Sequence, residues 1–132
     1  MEEEVEMGLA FDSLSAALDI DNRIVGKTND GKFVKSCAKV AKGLREEADN
    51  CGRLTFHMLG AILEQQYDPP PVDIEGVKNG AQMIASQLES VAETADMEEL
   101  KLLRDLCLCI NTHVSARDHE DWREQNRRRY EY

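Results

Sequence analysis

The amino-acid sequence predicts an all-α fold: an antiparallel helical bundle of four helices, or five if the long second segment breaks. Three observations lead there. Apolar residues recur three and four positions apart along most of the 132 residues, the period of one helix face. Aromatic side chains make up only 5% of a chain that is 42% hydrophobic, so the core must be built of Leu, Val, Ala, Met and Cys, a composition that suits helices better than strands. The length is that of one ordinary domain and is enough to close one core. Residues 1–132 are therefore read as a single helical domain with a charged C-terminal segment, 115–132.

The first helix is expected over residues 2–18, with Met7, Phe11, Leu14 and Leu18 as its buried stripe and Ala10 and Ala17 beside them. Glu2, Glu3, Glu4 and Glu6 suit the positive end of its dipole. A polar connection over residues 19–31 ends in Asn29, Asp30 and Gly31, a turn signal. A short hairpin between residues 24–25 and 33–34 competes with a loop there, and the helical period that begins at Phe33 favours the loop.

The second segment, residues 32–66, keeps a seam of Phe33, Cys37, Val40, Leu44, Ala48, Cys51, Leu54, Met58 and Ile62. Asp49, Asn50, Cys51 and Gly52 mark the place where it would kink or divide. Pro69, Pro70 and Pro71 stop it, because proline lacks the amide donor and forces the preceding residue out of the helical region.

The third helix starts at the cap Asp73 and carries Val77, Ala81, Ile84, Leu88, Val91 and Ala95. The fourth starts at Asp96, which forms a capping box with Glu99. Its seam is Leu100, Leu103, Cys107, Ile110 and Val114, widened by Leu102, Leu106 and Cys109. That extra width marks Leu102 and Leu106 as candidates for a subunit or partner interface.

Net charge is −10, and it is unevenly spread: −7 over residues 1–22, +3 over 23–66, −6 over 67–116 and 0 over 117–132. Such a body repels nucleic acid and anionic membranes. No apolar run reaches the roughly 18 residues of a membrane span, and the first ten residues carry acid where a signal peptide carries base. A cytoplasmic or nuclear protein with no membrane association is expected, with Cys37, Cys51, Cys107 and Cys109 as reduced core thiols.

Lys32, Lys35, Lys39 and Lys42 fall within about 80° of arc at 100° per residue, opposite the apolar seam. With Lys27 and Arg45 they form the concentrated basic surface of an acidic chain, able to hold phosphates or an acidic partner; a plain solvated face, or one that neutralises the first helix, is the competing account. At the other end, Arg127, Arg128 and Arg129 either pair with Glu2, Glu3 and Glu4 or join Trp122, Tyr130 and Tyr132 in gripping a partner or phosphates. A fifth helix would place the two termini at opposite ends and rule out the pairing.

Enzymatic constellations fare poorly. Glu46 and Asp49 form a Glu-x-x-Asp and Glu3 and Glu6 a Glu-x-x-Glu. Such pairs hold magnesium in all-α nucleotide pyrophosphohydrolases of the MazG type, but the second pair sits at the N-terminus rather than on an internal helix, and the pattern does not carry over. Cys109 and His113, four residues apart, could chelate zinc only with help from His57 or Cys51, and no Cys-x-x-Cys accompanies them. Asp19 and Asp21 open like a calcium loop that then fails at Ile24 and Asp30. No cofactor, metal or catalytic residue is assigned. The leading expectation is a non-enzymatic helical interaction module, an oligomeric adaptor or an inhibitor of a larger partner. The alternative is a binder of an anionic, nucleotide-type small molecule, with or without magnesium-dependent hydrolysis.

Overall fold

A computed structural model describes residues 8–28 and 31–129. Among them the chain forms five helices and no strand: α1 (Gly8–Ile24), α2 (Lys32–Asp49), α3 (Arg53–Gln66), α4 (Ile74–Thr94) and α5 (Met97–Arg129). The long second segment does divide, at residues 50–52.

α1 extends six residues further than the expected end at Leu18. Its stop is a Schellman motif: Gly26 sits at φ +84°, Lys27 N–H donates to the Asn22 carbonyl at 2.9 Å and Gly26 N–H to that of Arg23 at 3.2 Å. Only glycine takes that left-handed position cheaply, so Gly26, rather than the polar composition after Asp19, ends the helix. Met7, Glu2, Glu3, Glu4 and Glu6 lie outside the described residues, as do Asn29 and Asp30.

The buried face of α1 is not the expected one. Leu9, Ser13, Ala16, Ala17 and Ile20 are buried, whereas Phe11, Leu14 and Leu18 are 49%, 41% and 58% exposed. Small side chains bring the α1 backbone close to its two neighbours, and close approach buries more atoms than a stripe of large ones standing off. Two details fit this. Ser13 keeps its hydroxyl satisfied by donating to the Ala10 carbonyl at 3.0 Å, and Leu9 packs where Gly43 of α2 leaves room, a Cβ there falling 2.9 Å from the leucine methyl.

Helix starts follow local chemistry. Asp73 accepts from Gly76 N–H at 2.8 Å. Asp96 accepts from Glu99 N–H at 2.9 Å, while Glu99 accepts from Asp96 N–H at 3.1 Å, a complete capping box. The expected seams of α2, α3, α4 and α5 are buried at Cys37, Val40, Leu44, Ala48, Met58, Ile62, Val77, Ala81, Ile84, Leu88, Leu100, Leu103, Cys107, Ile110 and Val114, while Phe33, Cys51, Leu54 and Ala95 are only partly buried; the Val91 side chain lies outside the described residues.

α1 packs between α2 and α5, α2 also lies on α4, and α3 packs against α5 and α4. α1 is antiparallel to both neighbours, since Ala10 meets Asn111 while Asp21 meets Arg104, and Asp19 meets Ser36 while Leu9 meets Gly43. α3 bridges two partners: its first turn reaches α5 through Arg53 and Thr55, and Leu63 packs beside Gly80 of α4. Because α3 lies across α4 and α5, the extra helix does not reverse the sense of the last one. α1 still begins toward the end where α5 finishes, contrary to the expectation that a fifth helix would separate the ends.

Candidate functional site

Three surfaces and one buried cluster gather the chemistry-bearing residues. The first surface is the outer face of α1. Phe11, Leu14, Leu18 and Val25 follow one another at steps of three, four and seven, so they form a single stripe turned away from the core. Leu108 of α5, 41% exposed, sits between Arg104 and Asn111, both of which bond to α1. It therefore borders the same stripe.

The predicted interface pair divides. Leu106 is 3% exposed and belongs to the core of the chain, and α5 is covered by both α1 and α3. Leu102 is exposed at 67%, but six residues from Leu108 it faces about 120° away and does not join the α1 stripe.

The second surface is the outer face of α2. Lys32, Lys35, Lys39 and Lys42 are all exposed, as Ala38 is between them. No carboxylate among the described residues lies within ion-pair distance of any of the four. Arg45, which sequence reading grouped with them, points instead to α4 and makes a bidentate pair with Glu89, both bonds at 2.8 Å. That hydrogen-bonded guanidinium holds the Glu89 carboxyl below its usual range.

The third surface is the far part of α5. Core positions end at Val114, and Ser115 to Arg129 continue as helix. His119 stacks on Trp122, and Arg53 of α3 pairs with Glu124 at 3.2 Å. A depression of about 280 Å³ is lined by Glu120, Trp122, Arg123, Glu124, Asn126 and Arg127. All six come from one helix, so it has no opposing wall. Arg127 is not without a partner; the side chains of Arg128 and Arg129, with Tyr130 and Tyr132, lie outside the described residues, and so does the expected pairing with Glu2, Glu3 and Glu4.

The buried cluster, missed in the sequence, ties three helices together. Arg117 of α5 donates to both carboxylate oxygens of Glu47 in α2, at 2.8 and 2.9 Å, and to the Thr55 hydroxyl of α3 at 2.9 Å. Its Nε reaches Asp118 at 2.8 Å. Arg117 keeps only 16% of its side chain exposed and Glu47 21%, and the carboxylate bonds raise the guanidinium pKa further, fixing its charge. An Arg in a charged C-terminal segment gave no sign of this role, because its partners are 70 and 62 residues away.

The thiols behave as core. Cys37 and Cys107 are fully buried and in side-chain contact; the bond to Cys37, together with burial, pushes Cys107 far up. Cys51 and Cys109 are half-buried and burial raises both. Glu46 and Asp49, one half of the tested magnesium pattern, are exposed on α2, and Glu3 and Glu6 lie outside the described residues. Among the described residues no three His, Cys, Asp or Glu side chains converge as metal ligands, and no helix is long and apolar enough to cross a membrane. Comparison with protein-family models, with curated proteins and with solved structures gave no match.

Proposed function

We propose that the chain is a non-enzymatic helical interaction module that receives one amphipathic helix of a partner protein on the outer face of α1, as an adaptor or inhibitor does. The observation that carries this is the stripe Phe11, Leu14 and Leu18, large apolar side chains left about half exposed on a helix whose core face is filled by other residues. Their spacing is that of a coiled-coil seam and suits a helix laid alongside.

The size of the stripe argues for a single helix rather than a stable dimer. A fully buried Leu, Val or Phe side chain contributes about 1.5 to 3 kcal/mol at about 25 cal/mol per Å². Covering the exposed halves of Phe11, Leu14, Leu18, Val25 and Leu108 therefore removes roughly 150 to 300 Å² of apolar surface. A stable interface takes about 800 Å² per partner. The gross gain from this face, about 4 to 7 kcal/mol before association costs of similar size, is that of a weak contact with a single helix. The four free thiols accord with a reducing compartment such as the cytosol.

The test uses the whole chain, sedimentation, and a fluorescent helical peptide carrying Leu at i, i+3 and i+7. A monomeric wild type that binds the peptide, and a Leu14→Glu/Leu18→Glu variant that keeps its circular dichroism but loses binding, are expected. A wild-type dimer dissociated by the same variant would assign the face to a second copy instead. A monomer that ignores the peptide would refute the module. The nucleotide-binding alternative draws on the α2 lysines, whose donors are spread along a convex helix instead of converging on one phosphate.

A further inference from the structure

We propose that Lys32, Lys35, Lys39 and Lys42 form a docking strip for an acidic helical segment of a protein, a second interaction surface that does not depend on the α1 face.

The charges of α2 run against its own dipole. Lys32 and Lys35 stand in or beside the first turn, which holds no acid, and Glu46, Glu47 and Asp49 stand in the last turn, which holds no base. Each such placement costs a helix about 0.3 to 1 kcal/mol. Helix stability would have favoured the reverse order at Lys32 and Lys35, a placement that a merely solvated face leaves unexplained.

Within the described part of α1, neutralisation does not account for the ridge: Asp19 accepts from Ser36 and Asp21 pairs with Arg104, while Glu2, Glu3, Glu4 and Glu6 lie outside the described residues. Five arginines pair with carboxylates: Arg45 with Glu89, Arg53 with Glu124, Arg104 with Asp21, Arg117 with Glu47 and Arg123 with Glu120. Among the described residues no lysine lies within ion-pair distance of a carboxylate, and what sets these four apart is that they stand exposed along one line of one helix.

Geometry selects the ligand. At 1.5 Å per residue the ridge is about 15 Å long, with steps of about 4.5, 6 and 4.5 Å. A mononucleotide or other compact phosphate needs donors that converge, and these stand in a line. A second helix with carboxylates at i, i+3, i+7 and i+10 presents its charges at the same steps, so all four pairs form in one register. Nucleic acid fits less well. Glu46 and Asp49 follow on the C-terminal half of the same helix, and the whole chain carries −10, so a long polyanion overruns the strip into like charge. The acidic run of the partner is consequently short, about three helical turns.

The probe is an 18-residue alanine-based peptide with Glu at those four positions, measured by fluorescence anisotropy beside its Gln counterpart, a single-stranded and a duplex oligonucleotide, and ATP with magnesium. The proteins are the wild type, the quadruple variant Lys32→Gln/Lys35→Gln/Lys39→Gln/Lys42→Gln, and Leu14→Glu/Leu18→Glu as a control for the other face. The expected result is binding of the Glu peptide by wild type and by the α1 variant at about 10 mM salt. It should weaken at least about tenfold toward 1 M, where the Debye length falls from about 30 to about 3 Å. The quadruple variant should not bind, and the Gln peptide should bind neither protein. No binding of the Glu peptide at low salt, equal binding by the quadruple variant, or equal or tighter binding of an oligonucleotide or ATP would each overturn the proposal.

Discussion

Arg117→Ala removes the α5 side chain that bonds to both α2 and α3. It deletes a bidentate pair to Glu47 and a bond to Thr55, and leaves a mostly buried carboxylate without its counter-charge. Breaking a buried pair from one side costs about 3 to 5 kcal/mol. The residual exposure of 16% and 21% lets water take over part of the arginine's role, which brings the expected loss down to about 2 to 3 kcal/mol. With a urea slope of about 1.5 kcal/mol per M for a chain of this size, the midpoint should fall by about 1 to 2 M. Glu47→Gln should cost less, because Arg117 retains Thr55 and Asp118. The double variant should be scarcely worse than Arg117→Ala alone, a coupling of at least about 1 kcal/mol for residues in direct contact. A loss below about 0.5 kcal/mol for Arg117→Ala, or strict additivity with Glu47→Gln, would show that the cluster is an accident of the surface rather than the clasp at the α2–α3 joint.

Two further outcomes follow from the fold. Gly26→Ala should lower stability by about 1 to 2 kcal/mol in the same urea assay, entirely through the backbone, because φ is +84° and an added Cβ meets nothing within 4 Å; no change would mean that α1 does not end in the left-handed cap. With an aromatic disulfide reagent, native protein should expose Cys51 and Cys109 only, while Cys37 and Cys107 react after unfolding. The rate for the first two should rise at higher pH than for an ordinary thiol near 8.5, since burial raises both and depletes the thiolate; four reactive thiols in the native state would contradict the burial of the pair.

Much of the fold is legible in the sequence because its signals are local. Asp73, the Asp96 and Glu99 box and the prolines at 69–71 act within three or four residues, and the seams of α4 and α5 have a single apolar face to choose. α1 has two. Its large residues and its small ones form rival stripes, and which one faces inward depends on how closely α2 and α5 can approach, a fact about packing that no window of α1 contains. The same holds for Leu106, buried in the common core, and for Arg117, whose partners are 62 and 70 residues distant. The lysine ridge was visible as a spacing; that its lysines meet no carboxylate among the described residues while Arg45 turns to Glu89 was not.

The inverted packing of α1 separates two kinds of constraint that usually coincide. Ala16 and Ala17 admit nothing larger without pushing helices apart, whereas Phe11, Leu14 and Leu18 could become polar with little harm to folding. Among variants of this chain surviving on stability alone, the outer stripe would drift quickly toward Lys, Glu and Gln. Wherever bulky apolar residues persist at those three positions, their persistence is a record of what the molecule holds, written in residues that the fold itself does not require.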